Sequence, residues 1–172
     1  MIKTKRLTLR PIERADSKSV FSYRSDSNHN QYQGWVPESL DEVESFIAKN
    51  PKEFNLPETW FQLVIVLNDS NEVIGDVGIH FIDEDQCEVG VTLDKQFLGK
   101  GFATESLSGV FDYLFRDLTK HRITGSVDPR NEASIQLLER LGMRREAHFK
   151  KSLWFKGEWV DDVVYAILKT EW

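Results

Sequence analysis

A chain of 172 residues with 40% hydrophobic side chains and five prolines is long enough to bury a substantial core, and one domain over residues 1–172 is expected. Its net charge is −6, with lysines and arginines dispersed rather than gathered into a stripe, which speaks against nucleic acid as a ligand and makes a cationic amine the more natural partner. No apolar run reaches membrane-spanning length and residues 1–6 lead into alternating sequence rather than a leader's apolar stretch, so a soluble cytoplasmic protein without a membrane partner is expected.

Arg6 to Arg10 alternates Leu7 and Leu9 with polar residues and reads as a strand closed by Pro11. A first helix is expected from Asp16, with Val20 and Phe21 inward. A polar loop from Ser25 to Gly34 follows, and then Trp35 and Pro37. Ser39 and Glu42 have the spacing of a capping box, which predicts a helix with Val43, Phe46 and Ile47 on one face, ended by Pro51. Trp60 to Leu67, Val73 to Phe81 and Gln86 to Leu93 read as strands joined by turns at 68–71 and 83–85. Cys87, the only cysteine, lies in the last of these and excludes an internal disulfide; no metal-ligand spacing appears among the histidines, so no metal is expected.

Ala103 to Leu118 carries apolar residues at helical spacing, and the loop before it is Leu98-Gly99-Lys100-Gly101-Phe102-Ala103-Thr104. A glycine-bearing loop between a strand and a helix leaves backbone N–H groups unpaired in front of the positive end of the helix dipole, which suits an anion such as phosphate. Lys100 is followed by Gly101 rather than Ser or Thr, so the loop is not a Walker loop. His121 to Val127 reads as a strand. Asn131 caps a helix with Ile135, Leu137, Leu138 and Leu141 inward and Gly142 at its end, and Arg144 to Trp154 and Trp159 to Leu168 form a hairpin about Lys156-Gly157. The predicted order is strand, two helices, three strands, helix, strand, helix, two strands. That order gives an α+β fold with a mostly antiparallel mixed sheet of about seven strands, helices on both faces, and a ligand at the carboxyl end of the crossover strand.

Pairing the two strands about the turn at Glu84 places Val77, Ile79 and Phe81 with Cys87, Val89, Val91 and Leu93 on one face. Asp76, Gly78 and His80 then share the other face with Glu88, Gly90 and Thr92. His80 stands opposite Glu88, and Gly78 opposite Gly90 leaves room for close approach to the sheet.

The loop resembles the pyrophosphate loop of the GNAT superfamily of acetyl-coenzyme A-dependent N-acetyltransferases. Gly101 and Ala103 fall on the small positions and Leu98 departs from the usual Gln or Arg. Gly-Lys-Gly-Phe-Ala-Thr-Glu, with Arg6-Leu7-Thr8-Leu9-Arg10-Pro11, Val73-Ile74-Gly75, Glu88-Val89-Gly90, Asn131-Glu132-Ala133-Ser134, Leu141-Gly142-Met143 and Gly157-Glu158-Trp159-Val160-Asp161, is similar to the RimJ/RimL-like branch. The resemblance implies the GNAT fold, acetyl-coenzyme A as cosubstrate, and direct attack by an amine in a ternary complex. It puts the cosubstrate on Leu93, Leu98, Gly99, Lys100, Gly101, Phe102, Ala103, Thr104, Asn131 and Ser134. The main chain of Leu93 would contact the pantetheine or the thioester carbonyl.

An acceptor amine is protonated at neutral pH and must lose a proton to attack. Glu88, through water or with His80, is the candidate base, unless the two form a structural cross-strand pair. Leu138 stands where many GNAT enzymes carry an acidic tyrosine, and the resemblance offers Ser134 as the proton donor instead; Asn131 and Ser134 also suit helix capping. Tyr32, Trp35 and His80 are candidate substrate contacts, with Trp60, Asp161 and Asp162 as further possibilities. The implied acceptor is a protein N-terminal amine. A small cationic amine (polyamine, amino sugar or amino acid) and a non-catalytic acyl-coenzyme A sensor are the alternatives, and exposed sheet edges leave room for a homodimer.

Overall fold

A computed structural model describes residues Met1–Trp172. One sheet runs in the order β1-β2-β3-β4-β5-β6-β8-β7, with β1 Ile2–Lys3, β2 Leu7–Pro11, β3 Thr59–Leu67, β4 Val73–Phe81, β5 Gln86–Leu93, β6 Arg122–Val127, β7 Arg144–Phe155 and β8 Glu158–Leu168. Only β5 and β6 run parallel. The strand beyond the seven expected is β1, two residues whose pairing with Leu9 and Thr8 leaves no periodicity to read.

Four helices cover the two faces: α1 Ser17–Arg24, α2 Leu40–Ala48, α3 Phe102–Asp112 and α4 Glu132–Arg140. Alternation along the strands decides which face each side chain joins. Leu63 and Ile65 of β3 enter the larger core with α3 and α4, whereas Val64 and Val66 enter a smaller core with Val20, Tyr23, Val43 and Ile47 of α1 and α2. The Ser39 hydroxyl accepts from the Glu42 N–H, as its spacing predicts, but the Glu42 carboxylate accepts from the Glu38 N–H, one residue earlier than a capping box requires. The run expected to stay α-helical to Leu118 widens after Asp112, where the Leu118 N–H reaches back five residues to the Tyr113 carbonyl.

The expected β4–β5 register is present: Val77 pairs with Val91, Ile79 with Val89, Gly78 with Gly90 and His80 with Glu88. At the far end of β4, Asp76 is 1% exposed and receives Arg24 Nε at 2.8 Å and the Tyr23 hydroxyl at 2.7 Å. Trp35 lies over the Arg24 guanidinium at 5.4 Å. This closed ionic group fastens α1 to the sheet, and burial together with the Asp76 charge holds the Tyr23 hydroxyl well above its ordinary pKa. Asp76→Ala leaves the Arg24 charge buried without its partner and is expected to cost about 3–5 kcal/mol in urea unfolding. A loss below about 1 kcal/mol, the range of an exposed pair, would show that the group is dispensable.

Candidate active site

The parallel pairing of β5 with β6 lasts for Gln86↔Arg122, Cys87↔Ile123 and Glu88↔Thr124, then stops. Beyond it β5 stays with β4 as far as Leu93 and β6 stays with β8 as far as Val127, so the two halves of the sheet part like a fork. A cavity of about 440 Å³ opens there, lined by residues 88–91 of β5, 125–127 of β6 and Asp128 just after it. At the crotch a Cβ on Gly125 would sit 3.3 Å from the Leu138 side chain, so glycine lets α4 pack into the fork.

The fork also frees backbone donors. Ile82 N–H donates to the Gln86 carbonyl and Asp94 N–H to the Ile74 carbonyl, which fixes the even-numbered residues of β5 as those bonded to β4. The odd-numbered residues therefore point their N–H and C=O groups to the β6 side: the last bridge, Glu88↔Thr124, still uses the Val89 N–H, and beyond it the groups of Val91 and Leu93 face the opening. The Leu93 carbonyl meets His29 Nε2 at 2.8 Å, which leaves the Leu93 N–H as that residue's available main-chain group.

Glu88 ends a row that crosses three strands. Trp60 of β3 stacks on His80 of β4 with ring centroids 4.8 Å apart and planes 6° apart, and His80 Nδ1 lies 3.8 Å from Glu88 Oε2. His80, expected to touch substrate, is covered by Trp60 and does not line the cavity, which Trp60 and Glu88 do. Nor do the paired glycines leave room on both strands. Gln62 and Trp60 fill the space over Gly78, and only Gly90 faces open space. Burial raises the Glu88 carboxyl above its ordinary pKa; His80 opposes this and the Asp162 carboxylate adds to it.

Four carboxylates border the cavity, and two are already paired. Asp128 is held by Arg130 at 2.7 Å, and Asp161 by His148 Nε2 at 2.7 Å and Lys150 at 2.9 Å. The Lys151 backbone N–H, then Lys150 and His148, lower the Asp161 carboxyl far below the usual range. Glu88 and Asp162 have no lysine or arginine partner; Asp162 accepts only from the Ser126 hydroxyl.

On α4, Asn131 and Ser134 line the cavity with the buried Leu137 and Leu138. Asn131 Oδ1 caps the Ser134 N–H at 3.2 Å, which leaves the Asn131 amide and the Ser134 hydroxyl free of protein partners. The start of α3 is different. Gly101 is its N-cap, in the left-handed region at φ 79°, and supplies no side chain to the first turn. Gly99 is also left-handed at φ 71°. The first helical bond runs from Glu105 N–H to the Gly101 carbonyl, so the N–H groups of Phe102, Ala103 and Thr104 have no helical partner. The Phe102 ring is buried and lies 6.2 Å from that of Phe97, and Leu98 is half exposed.

The segment from Ser25 to Gly34 crosses this site. His29 ties it to Leu93, Asp26 to Lys95 at 2.9 Å, the Tyr32 hydroxyl to the Arg130 carbonyl at 3.3 Å, and Lys156 of the hairpin tip donates to the Gln31 carbonyl at 2.9 Å. Tyr32 lines the cavity as expected. Trp35 does not: it stacks on Phe46 of α2 with centroids 4.3 Å apart, because the smaller core offers it an aromatic partner and the Arg24 cation. His29, which no periodicity or motif singles out, is the contact that the sequence alone missed.

The acetyltransferase (GNAT) domain profile matches residues 6–144 of the chain. The N-acetyltransferase YnaD of Bacillus subtilis is 33% identical over 99% of this chain and 98% of its own length. The ribosomal protein uS5 alanine N-acetyltransferase of Escherichia coli is 27% identical over 98% of this chain and 91% of its own. Among solved structures, spermidine N-acetyltransferase from Vibrio cholerae, in complex with CoA and spermine, superposes with a TM-score of 0.84 at 25% identity, over 98% of both chains.

The raised Glu88 carboxyl has a consequence for stability. The folded chain holds that proton more tightly than the unfolded chain, so the contribution is full below the ordinary glutamate pKa and is lost as pH rises through the raised value. The Tm of the wild type relative to Glu88→Gln is expected to fall as pH climbs through that interval. A constant difference would mean that Glu88 titrates as it does in the unfolded chain.

Proposed function

Because the chain belongs to the GNAT acetyltransferase family, on its RimJ/RimL-like branch, and is an N-acetyltransferase, we propose that it acetylates the N-terminal α-amine of a polypeptide. The carrying observation is the pair Glu88 and Asp162, the only cavity carboxylates without a lysine or arginine partner. The Asp162 charge acts on Glu88, so the two carboxylates form one acidic position that suits one ammonium, and Trp60, Leu153, Phe155 and Val160 offer apolar surface to whatever the amine carries. A polyamine brings several cations and asks for several unpaired carboxylates, whereas Asp128 and Asp161 are already occupied by Arg130 and Lys150.

Acetyl-coenzyme A supplies the acyl group as a thioester. Loop 98–104 fits its diphosphate, since the uncapped first turn of α3 presents the N–H groups of Phe102, Ala103 and Thr104 with the helix dipole behind them. The freed N–H groups of Val91 and Leu93 are the main-chain donors for the arm and for a carbonyl oxygen gaining charge in the fork. Glu88 takes the proton of the acceptor ammonium, directly or through water, with His80 and Trp60 fixing its carboxylate. A carboxyl raised by burial is a better match to an ammonium proton than an ordinary one, and its ionised form is the active one. The Ser134 hydroxyl has no protein partner and protonates the leaving thiolate, while the Asn131 amide steadies the arm beside it. Leu138 is packed against Gly125 and takes no part in proton transfer.

Release of free coenzyme A is expected with peptides bearing ribosomal-protein N-termini. It should be weaker with polyamines, amino sugars and amino acids, and abolished by Gly101→Glu. Release supported by polyamines alone would overturn the α-amine reading. In the same assay kcat/KM should rise with pH along a limb whose midpoint lies above the ordinary glutamate pKa. Glu88→Gln should flatten that limb and lower the rate by about 10²–10⁴. An unchanged pH profile would remove Glu88 from the mechanism.

A further inference from the structure

Arg6 opens the first segment shared with the family, in the turn between β1 and β2, and acyl transfer as derived above makes no use of it. Its side chain reaches the start of α3, 99 residues away along the chain. Arg6 Nε donates to Glu105 Oε2 at 2.6 Å, its backbone N–H donates to Oε1 at 2.7 Å, and the Thr4 hydroxyl donates to the same Oε1 at 2.7 Å. Arg6 Nη1 donates to the Lys100 carbonyl at 3.0 Å, and the guanidinium lies over the Phe102 ring at 4.3 Å from its centroid. Nη2 takes no protein partner and lies 3.5 Å from where a Cβ on Gly101 would be.

Glu105 sits in the first turn of α3. A carboxylate there suits the helix dipole but opposes a phosphate anion in front of the same N–H groups. Partial burial works against ionisation of Glu105, but the hydrogen bonds from Thr4 and Arg6 outweigh it and hold the carboxyl below its ordinary pKa, so the charge is present. Only Arg6 pairs with it.

We propose that Arg6 is a positioning residue for diphosphate binding: it cancels the Glu105 charge, fixes the Lys100–Gly101 peptide, and turns Nη2 towards the anion. The inference rests on loop 98–104 being the diphosphate site. A purely mechanical tie between the β1–β2 turn and α3 has the same contacts but a different signature, because its loss is not relieved when the Glu105 charge is removed as well.

Calorimetric binding of coenzyme A and of pantetheine, which lacks the diphosphate, localises the effect, and removal of the Glu105 charge separates the two readings. Arg6→Gln is expected to weaken coenzyme A about tenfold, the scale of one charge-assisted contact, and to leave pantetheine unchanged. Arg6→Gln with Glu105→Gln is expected to regain part of that loss, since the opposing charge has gone. Arg6→Lys keeps the cation without the guanidinium fork and should fall between wild type and Arg6→Gln. With acetyl-coenzyme A, Arg6→Gln should raise KM and keep kcat, and with S-acetylpantetheine it should change neither. Equal losses for both ligands, no loss, or a double variant no tighter than Arg6→Gln would overturn the proposal. Wild-type protein binding coenzyme A no more tightly than pantetheine would instead sink the loop assignment itself.

Discussion

Everything in the site depends on how early β5 and β6 stop pairing. Three residue pairs hold them together at Gln86 to Glu88, enough to set Glu88 at the point of separation. Each strand then keeps its antiparallel neighbour, so the sheet opens without leaving two bare hairpins. Opening leaves the backbone groups of Val91 and Leu93 on the β6 side without strand partners. Such groups are costly to bury unpaired, so the fork has to stay open to water or to a molecule that can pair with them.

Charge is distributed about that opening with the same economy. Basic side chains neutralise Asp128 and Asp161 at the rim, and Arg6 neutralises Glu105 at the start of α3. What remains is a region at Glu88 and Asp162 without lysine or arginine partners, and an uncapped helix start some way from it. The first suits a cation and the second an anion. A molecule carrying a diphosphate at one end and an acyl group at the other can satisfy the helix start while delivering its acyl group to the carboxylates.

The segment from Ser25 to Gly34 binds the two regions to one another. Asn30, 2% exposed, donates to the Tyr23 and Asp26 carbonyls and so closes the end of α1, while His29 and Asp26 reach the end of β5. Tyr32 and Lys156 then connect it to the β6–α4 loop and the hairpin tip. Because the Arg24–Asp76 group fastens α1 to β4, the wall that this segment adds to the cavity is tied to the sheet rather than left as a free surface loop.

The sequence by itself determined the elements whose signals are local. Alternation located β3, β4 and β5, the turn at Glu84 set His80 against Glu88, Asn131 marked the start of α4, and the apolar period from Ala103 located α3 to within one residue, because side-chain period and capping chemistry act within a few residues. Tertiary structure alone decided where the strands part, that Trp60 covers His80, that Trp35 belongs to the smaller core, and that Arg6 and His29 reach the site. Those contacts join residues far apart in the chain, and no local period or cap records them. They exist only once the sheet order has brought β1, β4 and β5 to their places, so the residues could be read from the sequence while their partners could not.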